Sequence, residues 1–362
     1  MALIKASRTP FPTAWSGTAV RPQPAVAADS PGAVRAVRAI SLLGPVSALA
    51  AVALLRDHPG AGALVATAGI LLGVPHGGAD HLVPFWAAGG RAGWRPVLAL
   101  LIGYLLTLGL ALTAVLAAPR WALAAFLVVS ALHFGRGDSV FAAQLAGRST
   151  PSWHDDLLVT AAHGLVVVGL PVAVWPSTSL PLLDQVAPGF SSWAGGWPGL
   201  LLALTAGVLS AATLALVARR RWAATAELAA LVLLFWLVDP LIAFGAYFAL
   251  WHGARHVVRL VMLPGPVAGP GVTARTSADL RDGLVRYLRA AALPTAVSVA
   301  ILAAMWAGRR STLLSAELST LIALTAPHLL VIGRLDAVLV RRDRRPASAM
   351  QPVPPAPAAR PR

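Results

Sequence analysis

The chain has 362 residues, 57% hydrophobic and only 12% charged, whereas soluble domains carry about 25% charged residues, so the composition indicates an integral membrane protein. It contains no cysteine, which excludes disulfides and thiolate ligands and leaves His, Asp and Glu to hold any metal. The net charge is +15, and the basic residues lie between apolar segments and in the two tails, as in loops that face anionic lipid. Nucleic acid is therefore not an expected partner.

Residues 1–36 are rich in proline, alanine and arginine and contain no apolar run, which predicts a disordered basic tail. About ten apolar segments follow, most of them near the roughly 20 residues that cross a bilayer. We place them at 38–55, 61–85, 96–118, 121–135, 156–175, 198–218, 222–238, 240–263, 288–307 and 312–333. The predicted fold is therefore an all-α, polytopic membrane helix bundle over residues 37–338. Residues 339–362 are expected to form a second disordered basic tail.

The positive charges predict how these segments are oriented. Lysine and arginine concentrate in the N-terminal tail, in the loops after the second, fourth, sixth and eighth segments, and in the C-terminal tail. Cytoplasmic loops carry such an excess. The pattern fits about ten spans with both termini in the cytoplasm, as in a multi-pass protein of the plasma membrane.

The histidines are the residues in these segments that point to chemistry. Ionisable groups within a membrane are costly and usually functional. Segments two, four, eight and ten run in the same direction in the predicted topology, and each carries histidine in its inner half. At about 1.5 Å per residue, these histidines share one depth, and His163 enters from the other side to a similar depth. Coordination of a metal is the simplest explanation, since neutral imidazole is a favoured ligand of iron, zinc and copper. The residues at this depth are His76, His133, His252, His256 and His328.

The stretch around His252 and His256 has the clearest local spacing. Two residues four apart lie on the same side of a helix, with about 5–6 Å between their Cβ atoms, so both imidazoles can bind one ion. Arg255 lies between them. It is interpreted either as an anchor at the inner interface or as a residue that surrounds the site.

Two carboxylates follow histidines closely enough to orient them. Asp80 comes four residues after His76, and Asp138 follows His133 at the predicted end of the fourth segment. Each carboxylate is expected to accept the second N–H of its histidine, as carboxylates near metal sites do. Proline and glycine around His76 predict that the helix kinks or ends there.

Five short motifs follow one another along the chain. They are Pro75-His76-Gly77-x-x-Asp80, His133-Phe134-Gly135-x-x-Asp138, Ala162-His163-Gly164, His252-x-x-Arg255-His256 and Pro327-His328. In this order they resemble the motifs of the Brp/Blh family of bacterial and archaeal membrane β-carotene 15,15′-dioxygenases. The resemblance implies an iron(II) enzyme that uses O₂ to cleave the central double bond of β-carotene into two retinal molecules. It also implies a bilayer-dissolved substrate and, by analogy, a retinal-binding rhodopsin as a partner.

The resemblance assigns the iron to four ligands, His76, His133, His252 and His256. Other residues are expected to surround these ligands or to add one: Asp80, His81, Asp138, His163, Arg255 and His328. The sequence leaves open whether His81 or His328 binds the metal.

Three other functions compete with this reading. A membrane di-iron desaturase or hydroxylase acting on a lipid needs more clustered histidines than the single pair at His252 and His256. A transporter with a histidine relay would place ionisable residues across the whole depth. An intramembrane zinc hydrolase needs a glutamate beside the pair, as in the HExxH motif.

Overall fold

A computed structural model describes residues 60–87, 93–146, 148–152, 154–261, 277–309 and 313–343, together with the isolated Ala39 and Val46. These described residues form helices and no strands, which confirms the predicted all-α class. The N-terminal tail, nearly all of the first predicted segment and residues 344–362 lie outside the described residues, so their predictions stay predictions.

The first half of the described chain contains α1 (Ala61–Gly73), α2 (Val83–Ala87), α3 (Trp94–Ala117), α4 (Pro119–Leu145), α5 (Leu157–Gly164), α6 (Leu170–Val174) and α7 (Pro176–Val186). The second half contains α8 (Phe190–Trp193), α9 (Trp197–Ala218), α10 (Trp222–Leu237), α11 (Pro240–Ala246), α12 (Ala254–Val261), α13 (Ser277–Arg309) and α14 (Leu313–Asp343). A 3₁₀ turn, Val74–Gly77, follows α1. Two π-helical stretches, Leu165–Gly169 and Tyr247–Gly253, join α5 to α6 and α11 to α12.

Several described helices are long and apolar enough to cross a membrane. They cover Trp94–Ala117, Leu157–Val174, Trp197–Ala218, Arg281–Ala304 and Leu321–Arg341. Only 6% of the apolar stretch of α3 is buried within the protein, and large leucines cover its outer face. Such a helix needs lipid around it, because a surface this apolar is unfavourable in water. The chain is thus a helical membrane protein.

The fourth predicted segment ends too early. It was placed at 121–135, whereas α4 continues to Leu145. The prediction treated the polar residues after Gly135 as the membrane boundary. In the structure Arg136 and Asp138 are buried and paired with residues of other helices, so they continue the helix instead of ending it. By contrast, the predicted break around His76 is confirmed, because α1 gives way there to the 3₁₀ turn.

Helices α4 and α5 approach each other closely through two glycines. A Cβ atom on Gly135 would overlap the Thr160 carbonyl, and one on Gly164 would overlap the Ala131 carbonyl. Membrane helices often meet at small residues, because these let the two backbones come together. This contact holds the part of α4 that carries the site against α5.

Two apolar clusters flank the centre of the bundle. One is built mainly from α1, α5, α6 and α9 to α11, and the other from α2, α3 and α12 to α14. The chain passes from the first cluster to the second at 71–78 and at 252–259. These two stretches carry His76, His252 and His256, so the histidines lie where the clusters meet.

Candidate metal centre

Five histidine side chains meet at the centre of the bundle. Each ring centroid lies 5.0–5.4 Å from at least two of the others. The 3₁₀ turn, α4, the second π-helical stretch, α12 and α14 each contribute one ring, and all five are buried. They are His76, His133, His252, His256 and His328, which we call the histidine cluster.

The nitrogen atoms of this cluster point to a bound ion. The Nε2 atoms of His133, His252, His256 and His328 are buried without a hydrogen-bond partner. Buried polar atoms nearly always have a partner, so a group without one in the protein commonly marks a site for a water or an ion. Several imidazole nitrogens around one point form a donor set that suits iron, zinc or copper. These residues therefore fit a metal.

The candidate ligand atoms fall into two neighbouring groups. Those of His76, His133 and His252 lie within 4.8 Å of one another, and so do those of Asp80, His256 and His328. Ring contacts of 5.0–5.4 Å connect the two groups, so we treat them as one centre.

The orientation of His76 differs from the prediction. Its Nδ1 lies 2.6 Å from the carbonyl oxygen of Gly73, not beside Asp80. The prediction paired Asp80 with His76 from their four-residue spacing, although it also expected the helix to kink or end there. The 3₁₀ turn and the turns after it break that register, so Asp80 instead contacts His328, with 2.8 Å between Oδ2 and Nδ1.

The predicted role of Asp138 is also wrong. Asp138 accepts hydrogen bonds from Trp251 Nε1 at 2.9 Å and from Arg255 Nη1 at 3.2 Å, with the Tyr247 hydroxyl at 3.4 Å. Because α4 is unbroken here, five residues rotate the side chain by about 140° from His133 at 3.6 residues per turn. Asp138 therefore faces the neighbouring helices.

Arg255 is not an interface anchor. Its side chain is only 4% exposed and pairs with both Asp138 and Glu227, each at 3.2 Å. Its guanidinium carbon lies 3.8 Å from the centroid of the Trp251 ring. The charge is thus held inside the bundle, directly beside the π-helical stretch that carries His252.

Arg255 belongs to a set of three buried arginines that the prediction did not recognise as a set. Each follows a cluster histidine by three residues, in the pairs His133 and Arg136, His252 and Arg255, and His256 and Arg259. Arg136 lies 3.4 Å from Asp336, and Arg259 binds the other oxygen of that carboxylate. The repeated His-x-x-Arg spacing was the available signal. We call Arg136, Arg255, Arg259, Asp138 and Asp336 the arginine layer.

Two predicted histidines lie apart from the cluster. His163 is buried on α5, with Nδ1 2.9 Å from the carbonyl oxygen of Val159. His81 is only partly buried, just after the 3₁₀ turn. Neither ring is among the five that meet.

A largely apolar cavity of about 390 Å³ adjoins the histidine cluster. His76, His133, His252 and His328 form part of its wall. The Phe134 ring lies 4.8 Å from that of His252, and the Phe248 ring lies 5.2 Å from that of His76. Most of the remaining wall is apolar, including Leu105, Phe126, Val168, Leu241, Val299 and Leu321. Such a cavity suits a long apolar molecule held against a metal.

Comparison with known proteins places this sequence in a family. Residues 67–336 match the family described as beta-carotene 15,15′-dioxygenase. The chain is 31% identical over 304 residues to a probable beta-carotene 15,15′-dioxygenase Blh from Halobacterium salinarum, covering 76% of this chain and 84% of that protein. It is 27% identical over 196 residues to a beta-carotene 15,15′-dioxygenase of an uncultured marine bacterium, covering 52% and 65%. No solved structure matches.

Proposed function

This chain belongs to the β-carotene 15,15′-dioxygenase family, and we propose that it uses iron(II) and O₂ to cleave β-carotene into two molecules of all-trans-retinal. The observation that carries the proposal is the histidine cluster at the wall of an apolar cavity. The names of the two relatives support the substrate, and the donor set supports the metal.

We propose that His76, His133, His252 and His256 hold the iron. Their rings lie within the cluster, and three of the four present an unpaired, buried Nε2 atom. When bound, iron(II) supplies the redox chemistry that lets O₂ react with an alkene. Neutral imidazoles leave the positive charge of the ion uncompensated, and the cysteine-free chain offers no thiolate.

The reaction balances without any other reductant. The central C15–C15′ double bond and the O–O bond both break, and each new aldehyde carbonyl takes one oxygen atom. The protein must therefore hold one particular double bond of a long polyene near the cluster. Correct placement of the reacting atoms contributes a large part of catalysis in such cases.

The cavity walls provide this placement and keep water away. Aliphatic side chains of α3, α4, α13 and α14 contact the polyene along its length. Phe134 and Phe248 flank the rings of His252 and His76, so aromatic side chains line the part of the cavity next to these histidines. A substrate that dissolves only in lipid reaches such a site from the bilayer without crossing water.

The topology completes the proposal. About ten spans, with both termini in the cytoplasm of a plasma-membrane protein, place the cluster in the inner half of the bilayer. The catalytic domain extends from residue 37 to residue 343, past the predicted boundary at 338, because α14 continues to Asp343 and Leu339 is buried. Residues 1–36 and 344–362 form basic tails. The retinal product leaves into lipid or to a retinal-binding protein such as a rhodopsin.

Expression in cells that accumulate β-carotene tests the function. The unmodified protein should bleach the cells and yield retinal, measured by chromatography of extracted pigments. The variant His256→Ala should leave the colour intact, whereas His163→Gln, which changes a buried histidine outside the cluster, should still bleach. Persistent colour with a folded, iron-loaded protein would overturn the proposal.

A further inference from the structure

The family resemblance assigns four ligands, but the structure brings a fifth imidazole to the same point. We propose that His328 is also a metal ligand and that Asp80 holds it in the binding orientation. This inference rests on the metal site of the proposed function. It is carried by three observations: the position of the ring, the state of its two nitrogens and the burial of the carboxylate behind it.

The His328 ring lies inside the cluster, not at its edge. Its centroid is 5.1 Å from that of His76, 5.0 Å from that of His133 and 5.2 Å from that of His256. These separations fall within the range between the four assigned ligands, from 5.0 Å for His133 and His252 to 6.1 Å for His252 and His256. By position alone, His328 is not distinguishable from them.

The two nitrogens of His328 have different surroundings. Nδ1 lies 2.8 Å from Asp80 Oδ2, and a carboxylate next to an imidazole accepts its N–H. In the neutral ring Nε2 then carries a lone pair and no proton. That Nε2 atom is buried without a partner. Since no hydrogen-bond donor reaches this lone pair, it is available to coordinate a cation that lies between the imidazoles.

Asp80 is suited to this orienting role. Its side chain is only 3% exposed, and it lies on the turn that follows His76, whereas His328 comes from α14. Gly77 packs against both side chains: a Cβ atom there would lie 3.4 Å from His328 Nδ1 and 3.7 Å from Asp80 Oδ2. A carboxylate that binds the far nitrogen of a ligating histidine fixes its tautomer and increases its basicity.

His163 shows how an ordinary buried histidine differs. It also places Nδ1 beside an acceptor, the Val159 carbonyl, yet it lies outside the cluster. Throughout the described residues, every buried histidine nitrogen that lacks a partner belongs to the cluster. The combination of an oriented Nδ1 and an unpaired Nε2 therefore separates His328 from a histidine with only a packing role.

A fifth imidazole changes what the metal can do. With a fifth imidazole bound, the ion would have fewer positions left for O₂ and substrate than with four. The carotenoid would then be held by the cavity walls alone and not by the metal. Substrate selection would follow from the shape of the cavity.

Proton NMR of the full-length protein, loaded with cobalt(II) in detergent and carrying ¹⁵N-histidine, tests the assignment. Each ligand that keeps its Nδ1–H gives one imidazole N–H resonance shifted far outside the normal range. We expect five such resonances in the unmodified protein, four in His328→Gln and five in His163→Gln. Four resonances in the unmodified protein, all retained in His328→Gln, would overturn the proposal. The first count needs no variant to fold.

Cobalt(II) affinity, measured by chelator competition, provides a second readout. His328→Gln should weaken binding at least about 100-fold, and Asp80→Asn should weaken it about 10–100-fold, as expected for loss of an orienting partner. Unchanged affinity in folded His328→Gln would overturn the assignment. The proposed function can fail separately: a protein with five shifted resonances that forms no retinal contradicts the reaction and not the ligand.

Discussion

The histidine cluster and the arginine layer are both buried polar groups on the same helices, separated by only three residues in each His-x-x-Arg pair. They differ in how their polar atoms are paired. Each arginine of the layer meets a carboxylate on another helix. Four of the five histidines instead have buried Nε2 atoms without a hydrogen-bond partner. Among the described side chains of the arginine layer, one buried polar atom, Arg259 Nε, has no hydrogen-bond partner.

The histidine cluster is thus suited to bind an ion, whereas the arginine layer holds the helices in position around it. A buried charge must be paired, because an isolated one is strongly unfavourable in an apolar interior. The arginine layer meets that need within the protein and joins α4, α12 and α14 directly beside the cluster. The cluster, with its unpaired nitrogens, is suited to bind an external cation. Changes in the cluster should therefore affect metal binding first, and changes in the layer should affect stability first.

The largest expected effect is on metal content. His252 and His256 are the only two histidines in the sequence that are four residues apart. We expect His256→Ala or His252→Ala to abolish stoichiometric iron binding, because each variant removes one imidazole of this pair. Iron per folded protein, measured by mass spectrometry of the metal, is the readout, and His163→Ala is the matched control. Full iron content in both cluster variants would remove these residues from the ligand set and end the distinction between cluster and layer.

The next effect should appear in stability. Asp336→Asn removes the carboxylate shared by Arg136 and Arg259, and breaking a buried ion pair typically costs about 3–5 kcal/mol. Denaturant unfolding in detergent measures the change in the free energy of unfolding. Asp282→Asn, at an exposed position on α13, should stay within about 0.5 kcal/mol. Equal stability of the two variants would mean that the layer does not hold the helices together.

A smaller loss is expected where the backbone is tightly packed. Gly135→Ala places a methyl group against the Thr160 carbonyl, and such overpacking typically costs about 1–3 kcal/mol. Gly103→Ala on α3 meets no atom within 4 Å and should not destabilise the protein. Thermal unfolding of the pair gives the comparison. If Gly135→Ala is tolerated as well as its control, the α4–α5 contact does not set the position of His133.

The smallest effect concerns the turn that carries His76. The Tyr287 hydroxyl donates to the carbonyl oxygens of Pro75, at 2.9 Å, and His76. Tyr287→Phe removes this donor, while the Pro75 oxygen keeps its bond from the Gly78 N–H, so we expect a cost of about 0.5–1.5 kcal/mol. We also expect weaker iron binding, because the turn is less firmly held. The control is Thr113→Val, which removes an exposed hydrogen bond of a hydroxyl group on α3. Chelator competition measures the iron affinity of both variants. Unaltered affinity in Tyr287→Phe would mean that this hydroxyl does not hold the turn in place for metal binding.

Local patterns in the sequence were enough for the class of protein and for most of the cluster. Composition alone indicated a helical membrane protein, and His252 and His256 share a helix face whatever surrounds them. The break at His76 followed from proline and glycine in the chain itself. The depth argument grouped the five cluster histidines, because regular helices convert sequence position into height. It also placed His163 at that depth, and His163 lies apart from the cluster.

The partners of the charged residues depended on the tertiary structure. Asp80 contacts His328 on α14, and Asp138 contacts Trp251 and Arg255, so neither carboxylate binds the nearby histidine in sequence. No local spacing encodes these contacts, because each joins side chains more than one hundred positions apart. The length of α4 follows the same rule. Arg136 and Asp138 look like a membrane boundary in sequence, and only charges supplied by other helices allow them to be buried.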